Sequence, residues 1–310
     1  MGNGPDTELT LTEHPLRAVV SPYGASLRGL YLQEGADEQE IITGYTGAAN
    51  KVGGQGDVLI PFPGRVNEGR YAFEGQWHQL RKNDKEAPAA IHGFLRQVMW
   101  AQQERSGHSI TFATAFDEQA HAGYPFALAV QVGYALKKDG LHCSYQLRNT
   151  GTGNAPVGAG FHPYFKVGAG WIDNKLLHVP FRSVLQYKDL LPTGKVLPVE
   201  GTPFDFRQKR AVGSVALNTC YLHPDRDAAG MAHIQLADPT NGRTITVSLD
   251  RSFASVVLYS GDPLPPSHRR RALAIEPGTC GVDALNHPDW GLMVLKPGEK
   301  LTGEWSVALR

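Results

Sequence analysis

Three side chains stand out by type and setting as able to move a proton. His92 lies in Ala90-Ile91-His92-Gly93-Phe94, where the adjacent glycine lets backbone or ligand come close to the imidazole. His162 lies in Gly158-Ala159-Gly160-Phe161-His162-Pro163-Tyr164-Phe165, with glycines that leave space and aromatic rings that supply apolar walls. Such a setting can desolvate an imidazole and move its pKa, as acid–base catalysis requires. Glu276 ends the apolar run Ala272-Leu273-Ala274-Ile275 and precedes Pro277-Gly278. A carboxylate at the end of a buried strand needs a partner or a task. Each residue also has a purely structural explanation. His92 would be a turn histidine beside a strand end, His162 a core histidine bonded among aromatics, and Glu276 the partner of an arginine such as Arg65.

The elements that must hold these residues read as strands. The chain has 310 residues, with 35 glycines and 21 prolines spread along it, and the periodicity between them is mostly two. Thr244–Leu249 alternates polar and apolar residues after Asn241-Gly242, a dipeptide suited to a type I′ hairpin turn. Asp139-Gly140 stands in the same way between Val132–Leu136 and Leu141–Leu147. Leu292–Leu295, the turn Lys296-Pro297-Gly298-Glu299 and Trp305–Leu309 predict a third hairpin. Helical signals are confined to short turns at Leu27–Gln33 and around Asp117–Ala122. Strand–helix alternation is missing, and no glycine-rich loop precedes a helix, which disfavours a dinucleotide fold. With no linker and no fixed repeat, the expected architecture is all-β: one large antiparallel β-sandwich spanning residues 1–310.

Composition narrows the function classes. The 41% hydrophobic and 19% charged content is that of a chain able to bury a core. Thirty basic residues balance thirty acidic ones, so no basic excess is available for a phosphate backbone and nucleic acid is not an expected partner. Cys143, Cys220 and Cys280 are odd in number and lack CxxC spacing, which argues against a disulfide framework or a structural zinc site. The opening MGNGPDTELT has neither a basic n-region nor an apolar core, Asp6 breaks a myristoylation pattern, and no apolar run is long enough to cross a bilayer. These features predict a cytoplasmic protein with a small neutral ligand and no membrane partner.

In order along the chain, Pro61-Phe62-Pro63-Gly64-Arg65-Val66 with Gly69-Arg70-Tyr71, then Ala90-Ile91-His92-Gly93-Phe94, Gly123-Tyr124-Pro125-Phe126, Phe161-His162-Pro163-Tyr164-Phe165, Pro203-Phe204-Asp205-Phe206-Arg207, and Ile275-Glu276-Pro277 with Asp283-Ala284-Leu285-Asn286 together resemble the motifs of the aldose 1-epimerase family, the galactose mutarotases. The resemblance covers most of the chain. It implies a galactose mutarotase-like β-sandwich with an open sugar cleft, acting on a free aldohexose without metal or cofactor. It also implies Glu276 as the base that takes the C1 hydroxyl proton and His162 as the acid that protonates the ring oxygen. Arg65 and His92 would hold sugar oxygens, and Tyr164 or Trp171 would offer an aromatic platform. Monomer and homodimer are both compatible with the residues.

Two positions depart from the family pattern. Asn218, in Leu217-Asn218-Thr219-Cys220-Tyr221, stands where the family usually places a substrate-binding Asp; it can still accept and donate hydrogen bonds but carries no charge. Gly64 stands where the family often has Asn. Competing readings follow from these and other residues. A non-catalytic sugar-binding or sensing protein could use the same sandwich. A hexose 6-phosphate mutarotase would need distal cations, with Arg81, Lys82, Arg96 and His268-Arg269-Arg270-Arg271 as candidates. A glycoside hydrolase would pair Glu276 with Asp117, Asp205, Asp250 or Asp283, and would leave the histidine motifs unexplained.

Overall fold

The computed structural model describes residues 4–310, so residues 1–3, on which the reading of the N-terminus partly rests, lie outside the described residues. Alternating burial builds most of the strands. In Leu128–Lys137 the buried residues Leu128, Val130, Val132, Tyr134 and Leu136 alternate with more exposed ones, which puts one face on a core and the other toward solvent. Helix among the described residues is limited to four single 3-10 turns.

Two large antiparallel sheets result. The twelve-stranded sheet starts as a meander of Leu9–Glu13, Leu16–Ser21, Ser26–Glu34 and Asp37–Ile42. It continues through Tyr164–Phe165, Leu273–Gly278, Ser255–Tyr259 and Asn218–Pro224, and ends at Phe181–Lys188 and Leu191–Pro198. The nine-stranded sheet runs Ala101–Arg105, Ser109–Phe116, Leu128–Lys137, Gly140–Asn149, Lys300–Leu309, Thr244–Leu249, Ala232–Ala237, Leu176–His178 and Arg210–Ala211. Their inner faces share one apolar cluster, in which the rings of Phe161 and Trp305 lie 5.5 Å apart. The Tyr134 hydroxyl donates to the Ala25 carbonyl at 2.6 Å.

Several local expectations change. Leu27–Gln33 is no helical turn: it lies within the strand Ser26–Glu34, paired on both sides. Tertiary pairing overrides local propensity there. The third hairpin does not form, because Met293–Leu295 pairs with Ala155–Val157 while Lys300–Leu309 pairs with Gly140–Asn149 and Thr244–Leu249. The Asn241-Gly242 hairpin exists, but its loop is longer than two residues. Asp238 N–H donates to Arg243 O, and only Gly242 takes a positive φ, 76°. Likewise Lys138-Asp139, not Asp139-Gly140, is the connection before Gly140–Asn149. Gly140 is required by a close approach, since a Cβ there would lie 1.9 Å from the Val307 carbonyl oxygen. Asp117–Ala122 forms turns, with Ala120 N–H donating to Asp117 O.

Candidate active site

Strand register brings His162 and Glu276 together. Gly160 pairs with Gly278 and Tyr164 with Ala274, so the intervening His162 falls opposite Glu276. Alternation along Leu273–Gly278 sends Leu273 and Ile275 into the shared core and puts Ala274 and Glu276 on the other face. The result is a contact of 3.3 Å between His162 Nε2 and Glu276 Oε1, with both side chains 7% exposed. Tyr164 stacks on the His162 ring at 5.1 Å, and its hydroxyl donates to Gly53 O. His162 Nδ1 is buried with no hydrogen-bond partner among the described residues.

The loop Val52–Asp57 holds the histidine from behind. Gly56 N–H donates to His162 O, and His162 N–H donates to Asp57 O. Gly54, at φ 77°, comes so close to the imidazole that a Cβ would lie 3.1 Å from Cδ2. Asp57 beneath is buried and pairs with Lys51 at 2.6 Å and Arg96 at 3.5 Å. The sequence carried a signal for this loop, three glycines within Gly53-Gly54-Gln55-Gly56, which the reading of the motifs passed over.

A small ribbon, Arg65–Asn67 paired with Ala89–Ile91, carries the other polar groups. His92 follows it in the left-handed region, φ 65°, and exchanges two hydrogen bonds with Gly64: its N–H donates to Gly64 O, and its Nδ1 accepts from Gly64 N–H at 3.2 Å. Because Nδ1 accepts, a neutral His92 carries its proton on Nε2 and is a donor there. The His92 and His162 rings meet edge-on at 5.6 Å. Gly64 itself, φ 70°, could bear no side chain without moving a neighbour, since a Cβ would lie 2.6 Å from Val282 Cγ2. That packing accounts for glycine at this position.

Arg65 does not form an ion pair with Glu276, the structural alternative raised for that carboxylate. Its Nε donates to Asp84 Oδ2 at 2.6 Å and its Nη2 to Glu86 Oε2 at 3.0 Å. Neither carboxylate was legible in the polar stretch Lys82-Asn83-Asp84-Lys85-Glu86. Asn218 pairs with Tyr259, which pairs with Ala274, so it shares the face that carries Glu276 from two strands away, roughly 10 Å across the sheet. It is exposed, and its side-chain amide bonds to no described residue.

The remaining candidates divide clearly. Of the basic residues, Arg96 acts electrostatically on both histidines. Arg81 is exposed, Lys82 pairs with Glu68, and Arg270 is buried between Asp173 and Asp262. Arg271 lies over the exposed Trp171 ring, which has no ring contact to the histidines. A cavity of about 400 Å³ opens beside Tyr164, with Glu40, Gln55, Lys166, His268 and Arg271 in its wall. Asp283 is occupied by Asn67 N–H and Asn286, Asp205 by Arg207, and Asp250 by Ser252 and Glu304 N–H. Asp117 accepts from Gln119 N–H, so each of the four carboxylates a hydrolase reading would pair with Glu276 has a local partner. Among the described residues no cluster of three or more His, Cys, Asp or Glu is placed to hold a metal ion, and the three cysteines are buried and unpaired.

Burial dominates the electrostatics of the pair. It pushes the Glu276 carboxyl up to about 8, with nearby Arg65 pulling the other way, and drives the His162 imidazole down to about 3. His92 is held well below the ordinary imidazole range, first by burial and then by His162, Arg96 and Arg65. At neutral pH the His162–Glu276 pair thus holds one proton between them, and His92 is uncharged. An all-β protein with a one-proton acid–base pair on its sheet face, with a neutral imidazole donor against one member and a guanidinium acting on the other, can exchange protons with a polyhydroxy ligand.

The family follows from comparison. The aldose 1-epimerase family model matches residues 7–308, and the chain belongs to that family. It is 32% identical over 232 residues to the uncharacterized protein YihR of Escherichia coli K12, covering 74% of this chain and 71% of that one. The rat galactose mutarotase is 24% identical over 327 aligned positions, covering 96% and 92%. Among solved structures, an aldose epimerase homologue from C. elegans superposes with a TM-score of 0.87 at 17% identity, covering 98% of each chain. A putative aldose 1-epimerase from E. coli K12 gives 0.81 at 20% identity, covering 98% and 99%. These likenesses establish the galactose mutarotase-like fold. No described helix is long and apolar enough to cross a membrane.

Proposed function

We propose that the protein is an aldose 1-epimerase that interconverts the α and β anomers of a free aldohexose, with Glu276 as base and His162 as acid. The observation that carries this reading is the 3.3 Å contact between the two, set by strand register.

The chemistry needs one proton and two places for it. In the resting pair burial keeps the proton on Glu276. Transfer to His162 across the 3.3 Å contact creates the carboxylate base and the imidazolium acid together. That transfer runs against the direction in which burial holds both groups, and attraction within the ion pair it creates, together with hydroxyl donors of a bound sugar on the carboxylate, offsets the cost. Glu276 then accepts the C1 hydroxyl proton, the C1–O5 bond breaks, and His162 protonates O5. The pair returns to its neutral form with an open-chain aldehyde bound. Rotation about C1–C2 presents the other carbonyl face. O5 attacks C1 while giving its proton back to His162, and Glu276 protonates the new C1 oxygen. No atom is gained or lost, and no redox partner enters the balance. Arg65 and the Nε2–H of His92 donate to sugar oxygens, and Asn218 reaches the more distant hydroxyls.

Two-dimensional exchange NMR on a panel of aldoses tests the substrate class. Exchange cross-peaks between anomers should appear with free hexoses at catalytic protein concentration. Cross-peaks only with hexose 6-phosphates would instead favour the phosphorylated reading, which needs cations at the distal end of the sugar. Binding without any cross-peak would favour the non-catalytic one.

A further inference from the structure

Arg65 is held by two carboxylates of different kinds. Asp84 has a 6% exposed side chain and sits against Nε; Glu86 is 60% exposed and sits against Nη2. One buried carboxylate is enough to neutralise and orient this guanidinium. A second, exposed ion pair contributes little to stability, so folding does not account for Glu86. Its surroundings suggest another use. Glu86 Oε2 is engaged by Arg65, whereas Oε1 accepts from no donor among the described residues. Among the charges acting on Tyr259, Glu86 has the largest effect, ahead of Glu276, Asp262 and Arg65. Tyr259 lies in the row between Asn218 and Ala274, and Arg65, which holds Glu86, pairs with Ile91 next to His92, whose ring meets that of His162. The other acids near this row are committed: Asp262 to Arg270 and Ser260, and Glu276 to His162.

Resting on the aldose reading above, we propose that Glu86 is a substrate-binding residue. Its free oxygen accepts a sugar hydroxyl while Arg65, tied to its other oxygen, donates to the neighbouring sugar oxygen. The two together grip a vicinal diol, a role that complements the neutral amide of Asn218. An Arg–carboxylate couple matches a diol because each hydroxyl can both donate and accept.

The test is calorimetric binding of glucose, galactose and their monodeoxy analogues to wild type, Glu86→Gln and Glu86→Ala, with polarimetric kcat and KM alongside. Glu86→Ala should raise Kd and KM about 10- to 100-fold with much less change in kcat, and Glu86→Gln should fall between. One deoxy analogue, lacking the hydroxyl that Glu86 holds, should bind wild type and Glu86→Ala equally. The exposed position predicts unchanged melting temperatures. Unchanged Kd and KM, or the same penalty on every analogue, would overturn the assignment. Sugar discrimination through Glu86 without turnover would overturn only the activity reading. Absence of binding by any sugar would overturn both.

Discussion

At the scale of residues the site is governed by burial of two titratable groups against each other. The free enzyme should be active while the pair holds one proton. As pH rises past about 8 that proton leaves Glu276, and kcat/KM should fall with it; the acid limb should lie near 3, where His162 gains a second proton. A polarimetric pH series checks this, and a midpoint near 6.5 would instead indicate an exposed, ordinary histidine. Stability carries the same signature. A carboxyl raised from 4.5 to about 8 stabilises the fold below 4.5 and loses that contribution as pH rises through 8. Glu276→Gln does not titrate, so its stability advantage should widen by about 1.4 kcal/mol per pH unit between about 5 and 8, measured by urea unfolding. His162 and Glu276 were visible in sequence because each breaks an apolar or aromatic run. Asp84 and Glu86 were not, because an acidic residue in a polar loop looks like any solvated charge.

At the scale of elements, position comes from register and from glycines at close approaches. The apolar run Ala272-Leu273-Ala274-Ile275 sufficed to predict a buried strand, but that strand does not end at Glu276: Pro277 and Gly278 continue the pairing with Val256 and Ser255. The run could not identify the neighbouring strand, because long-range antiparallel pairing leaves no local mark. That is also why the C-terminal hairpin expected from Lys296-Pro297-Gly298-Glu299 gave way to two separate pairings. Gly64 illustrates how a departure from a family pattern acquires a structural cause. Gly64→Ala sets a Cβ against Val282 at φ 70° and should destabilise by about 1–3 kcal/mol. It should also lower kcat/KM, since relieving the clash shifts the residue-64 backbone N–H that fixes the His92 tautomer. Adding Val282→Ala should recover part of the stability but not the backbone strain. Denaturant unfolding of the single and double variants, with polarimetry, measures both effects.

At the scale of the whole molecule, the sandwich separates folding from chemistry by face. Phe161 points into the core between the sheets and meets Trp305, while His162, one residue on, lies on the opposite face against Glu276. Trp305→Ala should therefore cost about 3–5 kcal/mol in urea unfolding yet leave the kcat of the folded fraction close to wild type. A matching loss of kcat would show that the core geometry reaches the pair. The all-β architecture was legible because period-two patterning and dense turns survive in any single sequence. The order of strands was not, since Tyr164–Phe165 joins Asp37–Ile42 and Leu273–Gly278 from distant parts of the chain.

The most direct measurement is the decay of optical rotation of fresh α-D-glucose and α-D-galactose with wild type, with Glu276→Gln and with buffer alone. The His162–Glu276 account predicts saturable acceleration by wild type and a loss of about 10²- to 10⁴-fold in Glu276→Gln, which remains folded. Equal acceleration by the two proteins would contradict it.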